Sequence, residues 1–439
     1  MYLLYSSLLA IGLLVSLPYW LFQMLRHGKY HEGLGERLGG LPIRFDKVSA
    51  RRTIWVHAVS VGEVLAVSGV IEELRRHFPQ HRVVISTTTS TGQRLARKRF
   101  GEESVFYFPL DFAFAIRPYL RALHPELIVI AETEFWPNFL RLAHASGARI
   151  AVVNARISDR SWPGYRRFGL LLSGVLLRID LFLAQTEEDA RRLREIGAPA
   201  QRVQVKGNLK FDVAPLSPPP IIASLRAAFE QAEVGPVLVC GSTMEDEEPL
   251  LLRAFENVLA SYPRAMMILA PRRPERFGQV SGLLQHLAIR FWRRSLWSGD
   301  LLSGGVLLID TIGELASLYS LGDVAFVGGS LVPRGGHNII EPAQYGVPII
   351  VGNHTENFRD IVALFQSRDA VRIVGMAELP LTLMHLLAND AERRALGRRA
   401  QETMRSQMGA TLRTLQALKT LIAVGPDPRP VSAQAAHTD

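Results

Sequence analysis

Short runs rich in Ile, Val and Leu alternate with amphipathic stretches through two successive parts of this 439-residue chain. Residues 53–59, 82–86, 127–131, 149–154 and 180–184 have the length and β-branched content of buried strands. Helical spacing fills the intervals, as in 62–77 and 187–195. The order β-α-β-α demands a parallel sheet with helices on both faces, because each parallel crossover needs a long covering connection. Over 214–221 the prolines Pro215, Pro218, Pro219 and Pro220 stop the pattern. It then restarts at 236–240, 265–270, 306–309, 323–327, 348–351 and 371–374. The expected architecture is α/β, with two doubly wound Rossmann-type domains and a cleft between them where a ligand binds. Their expected bounds are 26–213 and 236–424, joined by a Pro-rich hinge over 214–235. A long helix from about Asp390 to Ile422 would close the second domain, and the Pro- and Ala-rich residues 425–439 read as a disordered tail.

The first 25 residues stand apart. From Tyr2 to Met24 no side chain is charged, and at 1.5 Å per residue such a helix reaches roughly 34 Å, enough for a hydrocarbon core of about 30 Å. Tyr19, Trp20 and Phe22 lie near one end, and Arg26, His27 and Lys29 follow at once. A signal peptide would begin with basic residues and end on a small-residue cleavage site, and neither is present. A buried core helix would not normally run so long without a charge. The span reads as a membrane anchor whose positive flank keeps the rest of the chain cytoplasmic.

The net charge of +9 suits nucleic acid, anionic lipid or phosphorylated substrates. Its arginines are scattered over helix faces, such as Arg191, Arg192 and Arg194, with neither basic runs nor interleaved aromatics. That pattern argues against nucleic acid. Only six of the 50 basic residues are lysine, so a lysine in a loop carries some interest. A single cysteine, Cys240, excludes an intrachain disulfide and any cysteine-cluster metal site, and fits a reducing compartment.

Ligands of open parallel sheets bind beyond the carboxyl ends of the strands. The usual nucleotide and hydrolase signatures are absent there, as is any Asp-x-Asp pair for a metal. Five loops remain. His57-Ala-Val-Ser-Val-Gly-Glu63 turns into a helix, so Glu63 is either a first-turn carboxylate favoured by the helix dipole or a general base. Glu132-Thr-Glu134-Phe-Trp-Pro-Asn138 puts two carboxylates at the end of a buried strand. One of them, Glu134, could cap the next helix, which leaves Glu132 as the functional candidate. Lys206-Gly-Asn-Leu-Lys210-Phe-Asp212 offers Lys210, either a solvated lysine or a counter-charge for an anionic substrate. Ala270-Pro-Arg272-Arg-Pro-Glu-Arg276 pairs arginine with a helix start, a combination suited to phosphate. The longest pattern is Gly328-Gly-Ser-Leu-Val-Pro-Arg-Gly-Gly336-His-Asn338-Ile-Ile-Glu341, a glycine-bracketed turn with Asn338 and Glu341 opening a helix. Its helix start suits phosphate and its carboxylate suits ribose hydroxyls.

At these loops the sequence closely resembles the Kdo transferases of lipopolysaccharide synthesis, a two-domain glycosyltransferase family with the GT-B fold. The likeness extends to Gly35-Glu-Arg-Leu-Gly39, Thr87-Thr-Thr-Ser-Thr-Gly92, Asn154-Ala-Arg-Ile-Ser158, Asp310-Thr-Ile-Gly-Glu314 and His354-Thr-Glu-Asn-Phe358, and so to nearly the whole chain. The resemblance implies an inverting transfer of Kdo from CMP-Kdo to the lipid A precursor at the inner membrane, with no cofactor and no metal. It implies Glu63 as the proton acceptor, Glu132 and Lys210 as transition-state stabilisers, and CMP held by Pro271 and Arg272, by Ile312, Gly313 and Glu314, and by Asn338, Ile339, Ile340 and Glu341. Two departures stand near the expected site: Arg273, where the family often has histidine, and Met244-Glu-Asp-Glu-Glu248, where a His-Glu-Gly loop is expected. That acidic run reads as a first-turn cluster. The alternative is another membrane-associated GT-B transferase with a different nucleotide-sugar donor.

Overall fold

Two seven-stranded sheets, parallel at every pairing, organise the chain. The computed structural model describes residues 2–27, 32–46, 52–212 and 219–423. They fall into two units, Met1–Val213 with Met408–Asp439, and Ala214–Gln407. The first holds β1 (Thr53–His57), β2 (Arg82–Thr87), β3 (Val105–Tyr107), β4 (Pro125–Ala131), β5 (Arg149–Ala155), β6 (Leu181–Ala184) and β7 (Val203–Val205), in the order β3-β2-β1-β4-β5-β6-β7. The second holds β8 (Val237–Thr243), β9 (Met266–Pro271), β10 (Phe291–Arg293), β11 (Gly305–Leu308), β12 (Val324–Val327), β13 (Ile349–Val351) and β14 (Arg372–Ile373), in the order β10-β11-β9-β8-β12-β13-β14. Strand order reverses between β1 and β4 in one sheet and between β8 and β12 in the other. These are the switch points at which the loops splay apart.

The central strands are apolar at consecutive positions because helices cover both faces. Trp55, Ile128 and Ile130 enter one core, while their neighbours Ile54, Val56, Leu127 and Val129 enter the core on the opposite face. Strands β3, β7 and β10 fall outside the sequence-based set. Each has three residues at a sheet edge, too few to show a period.

The expected closing helix is broken. Helix Asp390–Ser406 stays with the second unit, and Ala410–Ala423 packs Ala410, Leu415 and Leu418 against Val64 and Val67 of the first. Gly409 takes a φ of 93° between them, a conformation open to glycine and costly to other residues. Asp212 then caps the new helix, accepting from Gly409 N at 2.7 Å and Thr411 N at 2.5 Å. Part of the expected hinge is helical as well: Pro220–Gln231 starts on a proline, which suits the first helical position. Residues 213–218 and the expected tail lie outside the described residues.

The N-terminal helix spans Tyr2–His27, and Tyr2–Trp20 is long and apolar enough to cross a membrane by length and composition. Leu3, Leu8, Leu14 and Val15 are exposed along it. The motif at 35–39 acts as a clamp: Glu36 accepts from Tyr107 N at 2.6 Å, and Arg37 donates to Thr88 O while lying over the Tyr107 ring.

Candidate active site

In the first unit, β1 and β4 end side by side, and their loops carry Glu63 and Glu132. Ser60 caps helix Val61–His77, and the Glu63 carboxylate returns the bond, accepting from Val59 N at 2.8 Å and from the Ser60 hydroxyl at 3.0 Å. The arrangement is a capping box shifted by one residue. It fixes the carboxylate without neutralising it. Burial pushes the Glu63 pKa up to about 7, and Glu132 and Glu134 add to the rise against the pull of the two donors. A carboxylate poised there can both take and hold a proton near neutral pH.

Glu132 has a φ of 56° and donates its N–H to Val153 O at 3.0 Å, which turns its side chain out of the β4 line. Its Oε1 lies 3.5 Å from Lys210 Nζ, so the structure joins two candidates that stand far apart in sequence. Lys210 is placed by a chain of hydrogen bonds. Asn154 accepts from Leu209 N at 3.0 Å, Asn208 accepts from Lys210 N at 3.0 Å, and Asp212 anchors the segment to helix Ala410–Ala423. Burial raises the Glu134 pKa, as does Glu132. Glu134 is not the cap of helix Pro137–Ala145. The buried Asp111 takes that part, accepting from Asn138 N at 3.0 Å and Phe139 N at 2.7 Å. Nothing adjacent in sequence marks Asp111 for this.

In the second unit, Pro271 ends β9 and Arg272 follows it, residues 309–314 follow β11, and the glycine-rich turn follows β12, all at the carboxyl edge. Arg272 is exposed and makes no ion pair among the described residues. Its charge pulls down the pKa of Glu341, which burial raises, and adds to the burial that lowers His337 to about 4. Arg272 and residues 337–341 thus lie close enough for the guanidinium charge to act on both groups. Asn338 accepts from Ile340 N at 3.1 Å and donates to Glu341 at 3.3 Å. The helix they open, Ile340–Gln344, is a single turn rather than a long dipole. Ile312 is exposed beside Gly313, while Glu314 is bound to Arg294 at 2.7 Å and to Thr311. Arg273 is exposed next to Arg272.

The acidic run at 245–248 is more than a first-turn cluster. Glu245 and Asp246 are exposed, but Glu247 and Glu248 are fully buried. Glu247 accepts four backbone N–H bonds, from Met244 at 2.8 Å, Gly329 at 2.7 Å, Ser330 at 2.9 Å and Leu331 at 2.9 Å. Glu248 holds Arg276 through both terminal guanidinium nitrogens and accepts from Thr243 at 3.0 Å. One carboxylate therefore pins the glycine-rich turn to β8, and the other pins the arginine loop. Gly328 permits the close approach, since a Cβ there would meet Thr243 Cα at 2.6 Å. In the sequence only the acidic run after a strand pointed here, and nothing in it separates the buried pair from the exposed one. Among the described residues no cluster of three or more His, Cys, Asp or Glu could hold a metal ion.

The family described as 3-deoxy-D-manno-octulosonic-acid transferase (kdotransferase) matches residues 32–213. A 3-deoxy-D-manno-octulosonic acid transferase of Haemophilus influenzae is 33% identical over 422 residues, 94% of this chain and 97% of that protein. A protein of the same description from Bordetella pertussis is 36% identical over 405 residues, 86% of this chain and 91% of its own. Among solved structures, a putative UDP-N-acetylglucosamine 2-epimerase from Listeria monocytogenes aligns with a TM-score of 0.59 at 14% identity, over 86% of this chain and 99% of its own. At that identity the match speaks for the fold alone.

Proposed function

Since the chain belongs to the 3-deoxy-D-manno-octulosonic acid (Kdo) transferase family, we propose that it moves Kdo from CMP-Kdo to a hydroxyl of the acylated, phosphorylated lipid A precursor, with inversion. The observation that carries this reading is the pairing of a poised carboxylate, Glu63, with the Glu132–Lys210 pair at the switch point of the first sheet. Glu63 takes the proton of the acceptor hydroxyl as its oxygen attacks C2 of Kdo. The bond from C2 to the phosphate oxygen breaks on the opposite face, and CMP leaves with the electron pair. Positive charge that develops at C2 is stabilised by Glu132, and Lys210 offsets the sugar's own carboxylate. In the second unit Arg272 and the backbone of residues 312–314 and 338–341 take the negative charge that gathers on the phosphate.

One phosphodiester charge requires less compensation than a diphosphate, so arginine and backbone N–H groups suffice in this reading without a metal. The uncharged Tyr2–Met24 span and the basic surface would hold the enzyme on the cytoplasmic leaflet, where the anionic acceptor lies. Incubation of the purified protein with CMP-Kdo and a tetraacyl lipid A precursor is expected to add the mass of Kdo to the lipid. A product formed only from another nucleotide sugar would favour a different donor. Transfer is expected to be unchanged in EDTA. Activity lost on chelation and restored by Mg²⁺ or Mn²⁺ would contradict the metal-free mechanism.

A further inference from the structure

Two motifs of the first unit have no part in the proposed reaction: Gly35-Glu-Arg-Leu-Gly39 and Thr87-Thr-Thr-Ser-Thr-Gly92. The fold brings them together. Leu34–Arg37 is one helical turn braced beside β3. Glu36 accepts from Tyr107 N at 2.6 Å, the Tyr119 hydroxyl donates to Glu36 O at 2.9 Å, and Leu110 N donates to Arg37 O at 2.8 Å. So held, the half-buried Arg37 guanidinium stands 4.5 Å from the centre of the Tyr107 ring and donates from Nη2 to Thr88 O. A cationic donor makes that bond stronger than one between neutral groups.

Thr88 O belongs to the same peptide group as Thr89 N, and that N–H donates to Val59 O at 3.1 Å. Arg37 therefore polarises a peptide whose other end grips the Glu63 loop, and bonds linked in this way strengthen one another. Thr88 N at 3.2 Å and the Thr89 hydroxyl at 3.1 Å add to the hold on Val59 O. The Thr88 hydroxyl is buried with no partner among the described residues, so residue 88 is held through its backbone. On its other side, Val59 donates its N–H to the Glu63 carboxylate at 2.8 Å. We propose that Arg37 is a positioning residue for Glu63: through the peptide between Thr88 and Thr89 it fixes Val59, whose N–H sets where the carboxylate stands as the acceptor hydroxyl arrives. The inference rests on Glu63 being the base. Burial raises the Glu63 pKa, Val59 N is the largest pull against that rise, and Glu132 and Glu134 add to it. A slackened Val59 would let the pKa climb further.

The test uses the full-length protein in detergent micelles, with CMP-Kdo and the tetraacyl acceptor. Arg37→Met keeps a long side chain against the Tyr107 ring but cannot donate. It is expected to lower kcat about ten- to a hundredfold, the cost of a misplaced reacting group, with KM for CMP-Kdo unchanged. The rise of kcat with pH should move up by about half a unit or more, since a carboxylate that loses a donor ionises later. Arg37→Lys, which can still donate to Thr88 O, should recover most of both. On a Glu63→Gln background, Arg37→Met should cost less than about twofold, because no base is left to position. Arg37→Gln, a shorter polar side chain, takes the place of Arg37→Met if that variant does not fold. Equal losses on both backgrounds, an unmoved pH profile, or full activity of the Arg37 variant would overturn the positioning role and leave the Kdo-transfer reading standing. Native turnover of Glu63→Gln alone would remove the base itself, and the role of Arg37 with it.

Discussion

Glutamine in place of Glu63 is expected to slow transfer by about 10²–10⁴-fold, the usual contribution of a general base, with CMP binding unchanged. The same substitution should make the protein more resistant to heat at alkaline pH. Burial raises the folded-state pKa of Glu63 from its ordinary 4.5 to about 7. A group raised in this way favours the folded state below its unfolded pKa, and the benefit is lost as pH rises through 7. Above that pH the ionised carboxylate opposes folding, whereas a neutral amide there still accepts from Val59 N or the Ser60 hydroxyl. The variant should therefore melt above the native protein at pH 8 and beside it near pH 4.5. For the native enzyme, transfer should rise with pH through about 7 as the base ionises. If Glu63 served only as a capping residue, glutamine would leave turnover nearly intact and give no gain at high pH. Melting curves at two pH values and one rate measurement separate the readings.

The alternation of apolar runs made the doubly wound fold legible, because strands buried on both faces announce themselves without a partner. Three of the four edge strands did not, since three residues carry no period. The closing helix misled for a related reason: the amphipathic pattern runs through Gly409, and only Asp212, about 200 positions earlier, reveals that a new helix starts there. Candidate site residues stood out where the chain leaves a strand, as Glu63, Glu132, Arg272 and Asn338 do. The residues that hold them are harder to see. Asp111 and Asn154 act on backbone groups far away in sequence, and a carboxylate that accepts distant N–H bonds looks the same in a sequence as a solvated one. Glu247 makes the point most sharply, because it sits within an acidic run whose other members at 245 and 246 are exposed.

Alanine in place of Glu247 is expected to be among the most damaging single substitutions in the second unit. It leaves four backbone donors, at Met244, Gly329, Ser330 and Leu331, facing an apolar hole. A buried donor without a partner costs about 1–3 kcal/mol, so a total loss of order 4 kcal/mol or more is expected even if water enters and recovers part of it. Glutamine should be intermediate: its carbonyl oxygen serves one side of the site, but its NH2 confronts donors on the other. Because three of the four donors belong to the turn after β12, the damage should be local before it is global. Hydrogen exchange at residues 329–331 should accelerate by several orders of magnitude, and CMP affinity should fall even where the protein remains folded. Glu245→Ala, two positions away and exposed, should change stability by no more than about 0.5 kcal/mol. Equal effects of the two alanine substitutions would show that the turn is held by its glycines and its neighbours, and not by the carboxylate beneath it.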